Sequence, residues 1–157
     1  MKVFISHKNV DSEQAIALQA AFKKNQVDTY LDVLDSSISG GGKELTDHIK
    51  RNLNLCSDIL VVMSRATKDS WWVPFEVGMS AQIDMPTASF LQANIDLPDY
   101  LRYWPRLRTS SDIDTYVAIR RRVEQQILHE NYSIANRRKI ETAEFYRQLK
   151  IELERRY

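Results

Sequence analysis

At 157 residues, 43 % hydrophobic and 27 % charged, the chain has the size and composition of one globular domain with a real core. Its 22 basic and 21 acidic side chains leave a formal net charge of +1, which excludes a nucleic-acid footprint spread over the whole molecule. A single cysteine, Cys56, excludes an internal disulfide framework and a cysteine-rich zinc site, and points to a reducing compartment. Cys56 follows an apolar helical pattern and reads as a small buried side chain. His7, His48 and His129 match no metal-ligand spacing, so neither a metal nor a cofactor is expected. The opening Met1-Lys2-Val3-Phe4-Ile5-Ser6 is too short an apolar run for a signal peptide, and no run of about 18 apolar residues follows. A soluble cytoplasmic protein with no membrane partner is expected.

In chain order, Lys2 to Ser6 reads as a buried strand, and Asp11 or Ser12 as the cap of an amphipathic helix from Glu13 to Asn25. Val27 to Asp32 alternates like a strand. Val33 to Lys43 then gathers Ser36, Ser37, Ser39 and Gly40-Gly41-Gly42, a loop of contact or lid type; it lacks the spacing of a phosphate-binding Walker loop. Leu45, Ile49 and Leu53 mark a second amphipathic helix over Glu44 to Leu55. Asp58 to Ser64 is the most hydrophobic run and reads as a central parallel strand, since a strand covered on both faces needs no polar alternation. A helix to about Ile83, a fourth strand over Pro86 to Leu91 and a short fifth over Leu107 to Thr109 follow. Ser111 or Asp112 caps the next helix, whose stripe is Ile113, Tyr116, Val117, Val123 and Ile127. Arg120-Arg121-Arg122 within it reads as a solvated face, with an acidic partner as the sharper alternative. The tail from Ser133 carries Tyr146, Leu149 and Leu153 at helical spacing. It divides the chain into a domain over 1–128 and a helical extension over 129–157, packed on the domain or at an oligomer contact.

Alternating strands and helices of this kind form a parallel sheet wrapped on both faces, and a flavodoxin-like order of about five strands, 2-1-3-4-5, is expected. Ligands in such folds sit beyond the carboxyl ends of the strands, which here are Ser6 and His7, Asp32, Ser64 and Arg65, and Gln92. Chemistry is legible at Ser70-Trp71-Trp72-Val73-Pro74-Phe75-Glu76. Pro74 fits only a first helical turn, so a helix starts between Ser70 and Val73, with Glu76 near its entrance and opening onto the same crevice. Trp72 and Glu76, four apart, would share a face on which an indole and a carboxylate grip a flat cationic group. The plainer alternative makes Trp71, Trp72 and Phe75 core and Glu76 a complement to the helix dipole.

Val3-Phe4-Ile5-Ser6-His7, Tyr30-Leu31-Asp32 with the glycine-bearing loop after it, Ser57 to Ser64, and Ser70 to Glu76 resemble the successive boxes of a TIR domain. The chain is similar in particular to stand-alone bacterial TIR proteins of antiphage (Thoeris-type) defence. The likeness covers residues 2 to 126 and leaves the tail outside it. It implies that Val33 to Lys43 is the family's BB loop, through which subunits self-associate. It also implies that Trp72 and Glu76 form the W-x-x-x-E element, with Glu76 the catalytic glutamate of enzymes that cleave NAD at the nicotinamide–ribose bond. Ser6, His7, Asp32, Ser70 and Trp72 are the residues implied to bind the substrate, and His7 departs from the tyrosine many members carry. NAD is thus the expected partner, as substrate, and the product, hydrolysed or a cyclic or modified ADP-ribose, would act on a separate effector. A non-catalytic TIR interaction module and a nucleoside deoxyribosyltransferase-like enzyme are the alternatives.

Overall fold

Strand β3 (Asp58–Met63) is buried along its whole length, as its unbroken apolar run requires, and the sheet is built outward from it. The structure is a computed structural model that describes residues 1–32, 42–68, 70, 72–92, 95–128 and 133–156. Around β3 lie β1 (Lys2–Ser6), β2 (Asp28–Asp32), β4 (Thr87–Leu91) and β5 (Arg106–Leu107) in the order β2-β1-β3-β4-β5, every neighbouring pair parallel. This is the expected doubly wound, flavodoxin-like order.

The helices are α1 (Ser12–Lys24), α2 (Gly42–Asn54), α3 (Arg65–Lys68), α4 (Trp72–Gln82), α5 (Asp99–Arg102), α6 (Ser110–Leu128) and α7 (Ile134–Glu154). Because alternate strand residues face opposite ways, the sheet feeds two apolar clusters. Val3, Ile5, Leu60, Val62 and Phe90 pack with α1, α6 and α7, while Phe4, Ile59, Val61, Met63 and Leu91 pack with α2, α4 and α5. Phe145, Tyr146, Leu149 and Leu153 of α7 lie in the first cluster beside Tyr116, Val123 and Ile127 of α6.

Several local expectations change. Helix α2 starts at Gly42, so Gly42 and Lys43 belong to it rather than to the preceding loop; Val33 to Gly41 lie outside the described residues. The short helices α3 and α5 occupy stretches that carry no periodic signal. The cap of α6 is Thr109, not Ser111 or Asp112: its Oγ1 accepts the Asp112 N–H at 3.3 Å, while the Asp112 carboxylate accepts the N–H groups of Arg108 and Thr109 at 2.8 and 3.0 Å. Asp11 precedes α1 but makes no capping bond. Helices α1 and α4 end with Gln26 and Asp84 at φ 57° and 53°, left-handed turns in which Val27 N–H reaches Phe22 O and Met85 N–H reaches Ser80 O.

The arginine triplet is not a uniform solvated face. Arg120 is 8 % exposed, and its Nε donates to Asp58 Oδ1 at 2.7 Å, its Nη1 to Glu141 Oε1 at 2.7 Å. The fully buried Asp58 also accepts the hydroxyls of Tyr116 at 2.8 Å and Ser57 at 2.6 Å. Burial works against the Arg120 charge, but Asp58 outweighs it and keeps the guanidinium protonated; burial and the same carboxylate push the Tyr116 phenol well above its usual range. One buried ion cluster therefore ties β3, α6 and α7 together. Replacing Arg120 with Met leaves Asp58 buried without its cation and is expected to lower unfolding stability by about 3 kcal/mol, whereas Arg122→Ala should stay within about 0.5 kcal/mol. Urea denaturation checks both, and equal midpoints for the two variants would contradict the assignment.

Candidate active site

Pro74 is the third residue of α4, where its missing N–H is one the helix would leave unbonded in any case, so the helix starts at Trp72 as Pro74 requires. From that start Val73, Glu76, Val77 and Ser80 fall on one stripe, and all four are buried, at 2 %, 1 %, 2 % and 0 % exposure. Glu76 thus occupies a core position one turn inside the helix rather than a solvent-facing place beside the dipole. A carboxylate so placed needs hydrogen bonds, because stripping it of water otherwise costs several kcal/mol. Ser6, the last residue of β1, donates its hydroxyl to Glu76 Oε2 in a short hydrogen bond. Having one proton, Ser6 spends it on the carboxylate and presents only lone pairs to anything else.

The other anticipated residues gather at the same edge of the sheet. Asp32 ends β2 and is the register partner of Ser6. His7 follows Ser6, is 7 % exposed, and donates from Nδ1 to Ile5 O at 3.2 Å; a carbonyl can only accept, so in the neutral ring Nε2 is the acceptor. Ser70 is half-buried and donates its N–H to Thr67 O at 3.0 Å, closing the turn before α4. Trp72 is the first residue of α4, four before Glu76, while Trp71 lies outside the described residues. Phe75, which the plainer alternative assigned to the core, is 37 % exposed.

Sequence reasoning missed a second buried carboxylate at this edge. Asp11, 5 % exposed, accepts the hydroxyls of Ser64, at 2.7 Å, and of Thr67. Ser64 Oγ also accepts the N–H groups of Ala66 and Thr67, both at 3.1 Å, and so caps α3. The signal was faint, because Asp11 and its partners stand 53 and 56 positions apart.

Cys56 is buried and burial pushes its thiol up to about 11, partly offset by Lys2, which leaves it inert as a nucleophile near neutral pH. Among the described residues no group of three or more His, Cys, Asp or Glu is placed to hold a metal, and no helix is long and apolar enough to cross a membrane. A cleft of about 330 Å³ between Trp104, Arg106, Arg108 and Lys150 lies at the β5 edge, separate from Glu76.

Comparison with known proteins gives a family and a fold. The sequence pattern of the TIR domain matches residues 3–116. No curated protein matches the chain. Among solved structures, a 2-deoxyribosyltransferase from the psychrotolerant bacterium Bacillus psychrosaccharolyticus is similar in fold, with a TM-score of 0.58 over 87 % of this chain and 96 % of that one, at 11 % identity.

The Ser6 hydroxyl and the Glu76 carboxylate are expected to couple by about 2 kcal/mol in a double-mutant cycle of Ser6→Ala and Glu76→Ala read by chemical denaturation; additive effects would contradict the bond. For Cys56, a thiol with a pKa of about 11 holds roughly a thousandth of its population as thiolate at pH 8. Alkylation of the folded protein should therefore be slow there and rise about tenfold per pH unit up to about 11, whereas a rate already at plateau by pH 9 would contradict the burial.

Proposed function

The chain belongs to the TIR domain family, and from that premise we propose that it is an enzyme that cleaves NAD at the nicotinamide–ribose bond, with Glu76 as the catalytic residue. The observation that carries the proposal is a buried carboxylate at the carboxyl-terminal edge of a doubly wound sheet, held by the hydroxyl that ends β1. Ligands of such sheets bind at that edge.

The chemistry suits these side chains. The bond from ribose C1′ to the cationic ring nitrogen breaks with its electron pair going to nicotinamide, which departs neutral. C1′ gains oxocarbenium character, and a fixed carboxylate in a dry site stabilises that positive charge without reorganising. Water then gives ADP-ribose and releases a proton. A nucleophile within the substrate gives instead a cyclic or modified ADP-ribose, the product we assign here as a messenger to a separate effector in bacterial antiphage defence. His7, Asp32, Ser70 and Trp72 are assigned to substrate binding in the cytoplasm of the cell.

Glu76 is 1 % exposed, so substrate reaches it only if the crevice opens. We assign that opening to self-association through the Val33 to Lys43 segment. The likeness to the deoxyribosyltransferase concerns the fold and does not favour base exchange.

Purified full-length protein is expected to release nicotinamide from NAD with a specific activity that rises with protein concentration. Glu76→Gln is expected to lower kcat by about 100-fold or more. Nicotinamide release by Glu76→Gln at the parent rate would overturn the assignment. No release at any concentration, with partner binding intact, would favour a non-catalytic interaction module, and exchange of bases between nucleosides would favour a transferase.

A further inference from the structure

Strands β1 and β3 are neighbours, with Ser6 in register with Val61, so the segments that leave their carboxyl ends run side by side. Two bridges join those segments. At one end Ser6 holds Glu76; at the other Asp11 holds Ser64 and Thr67. His7 lies between, its ring fixed to Ile5 O. The two hydroxyls of the second bridge have little capacity for anything else. Ser64 has one proton and two lone pairs, given to Asp11 and taken from the N–H groups of Ala66 and Thr67. Its 3.1 Å approach to Thr67 Oγ1 carries no proton, since both hydroxyl protons go to Asp11. Asp11, Ser64 and Thr67 are 5 %, 7 % and 1 % exposed, and charge-assisted bonds in so dry a setting hold their geometry tightly.

We propose that Asp11 is a positioning residue for Glu76. It fixes the separation between the segment 6–11, which grips the Glu76 carboxylate through Ser6, and the segment 64–76, which carries it. The proposal rests on the reading of Glu76 as the cleavage centre. Asp11 acts through the two hydroxyls and touches no reacting atom. What it supplies is an oxygen that accepts two O–H donors at once, and the amide oxygen of asparagine does the same. A misplacement of about 1 Å at a reacting centre costs up to about 100-fold in rate, which sets the scale of the expected effect.

The test compares full-length Asp11→Ala, Asp11→Asn and Thr67→Val with the parent, by steady-state nicotinamide release and by amide hydrogen exchange at Ala66 and Thr67. Asp11→Ala is expected to lower kcat by about 10- to 100-fold with KM changed less than about threefold. Asp11→Asn should restore kcat to within about threefold, and Thr67→Val, which keeps the shape and deletes one hydroxyl, should fall between them. An Asp11→Ala enzyme with the parent's kcat overturns the proposal, as does an Asp11→Asn enzyme as impaired as Asp11→Ala, since the charge itself would then be acting. Should Asp11→Ala fail to fold, Thr67→Val decides: a parental kcat overturns the proposal and a severalfold loss supports it. Should the parent release no nicotinamide, the reading of Glu76 has failed and exchange decides the bridge alone. Faster exchange in Asp11→Ala, reversed in Asp11→Asn, supports it; identical exchange in all three overturns it.

Discussion

A carboxylate survives inside a protein only where enough hydrogen-bond donors replace the water it has lost. Glu76 meets that condition at the end of β1, through the hydroxyl of Ser6, and the bond constrains much around it. It requires α4 to begin at Trp72, so that position 76 falls on the stripe of Val73, Val77 and Ser80, and Pro74 permits that start because its place in the first turn needs no N–H. It requires β1 to end beside β3 with Ser6 facing the α2 and α4 side, which the strand period sets once Val3 and Ile5 face the other. A buried acid at the edge where doubly wound sheets bind ligands is also what makes the proposed electrostatic role at a developing cation physically sound.

The opposite end of the sheet has the complementary arrangement. There Asp58 meets a cation, Arg120, and the cluster they form with Tyr116 and Glu141 is structural. It fastens α7, which lies beyond the stretch matched by the TIR family, to the central strand. The charged pair locks the frame from below while hydroxyls hold the two acids above, at Asp11 and Glu76.

Much of this was legible in the chain itself. The apolar run of β3, the helical stripes and Pro74 gave the strand order and the start of α4, because each depends on local periodicity and backbone chemistry. Arg120 was misread, since a triplet of arginines suggests solvent. Yet its spacing of four from Tyr116 and three from Val123 puts it on the buried stripe, and that spacing would have revealed it. The ends of α1 and α4, expected at Asn25 and about Ile83, fall within a residue of Lys24 and Gln82, although Gln26 and Asp84 take left-handed turns where glycine or asparagine is the usual marker. The Asp11 bridge joins residues more than fifty positions apart, and no local pattern encodes such a pairing. Candidate residues at the strand ends could be named from topology, whereas the bond between Ser6 and Glu76 needed the packed helix to appear.

The most direct test of Glu76 as the cleavage centre is a structure of the full-length protein with a non-cleavable NAD analogue. The ribose that bears the nicotinamide is predicted to lie within hydrogen-bond reach of the Glu76 carboxylate, at the ends of β1 and β2 and with the Ser6 hydroxyl still on Oε2. An analogue seated elsewhere, such as in the cleft beside Trp104, with the Glu76 side chain sealed in the core, would contradict it.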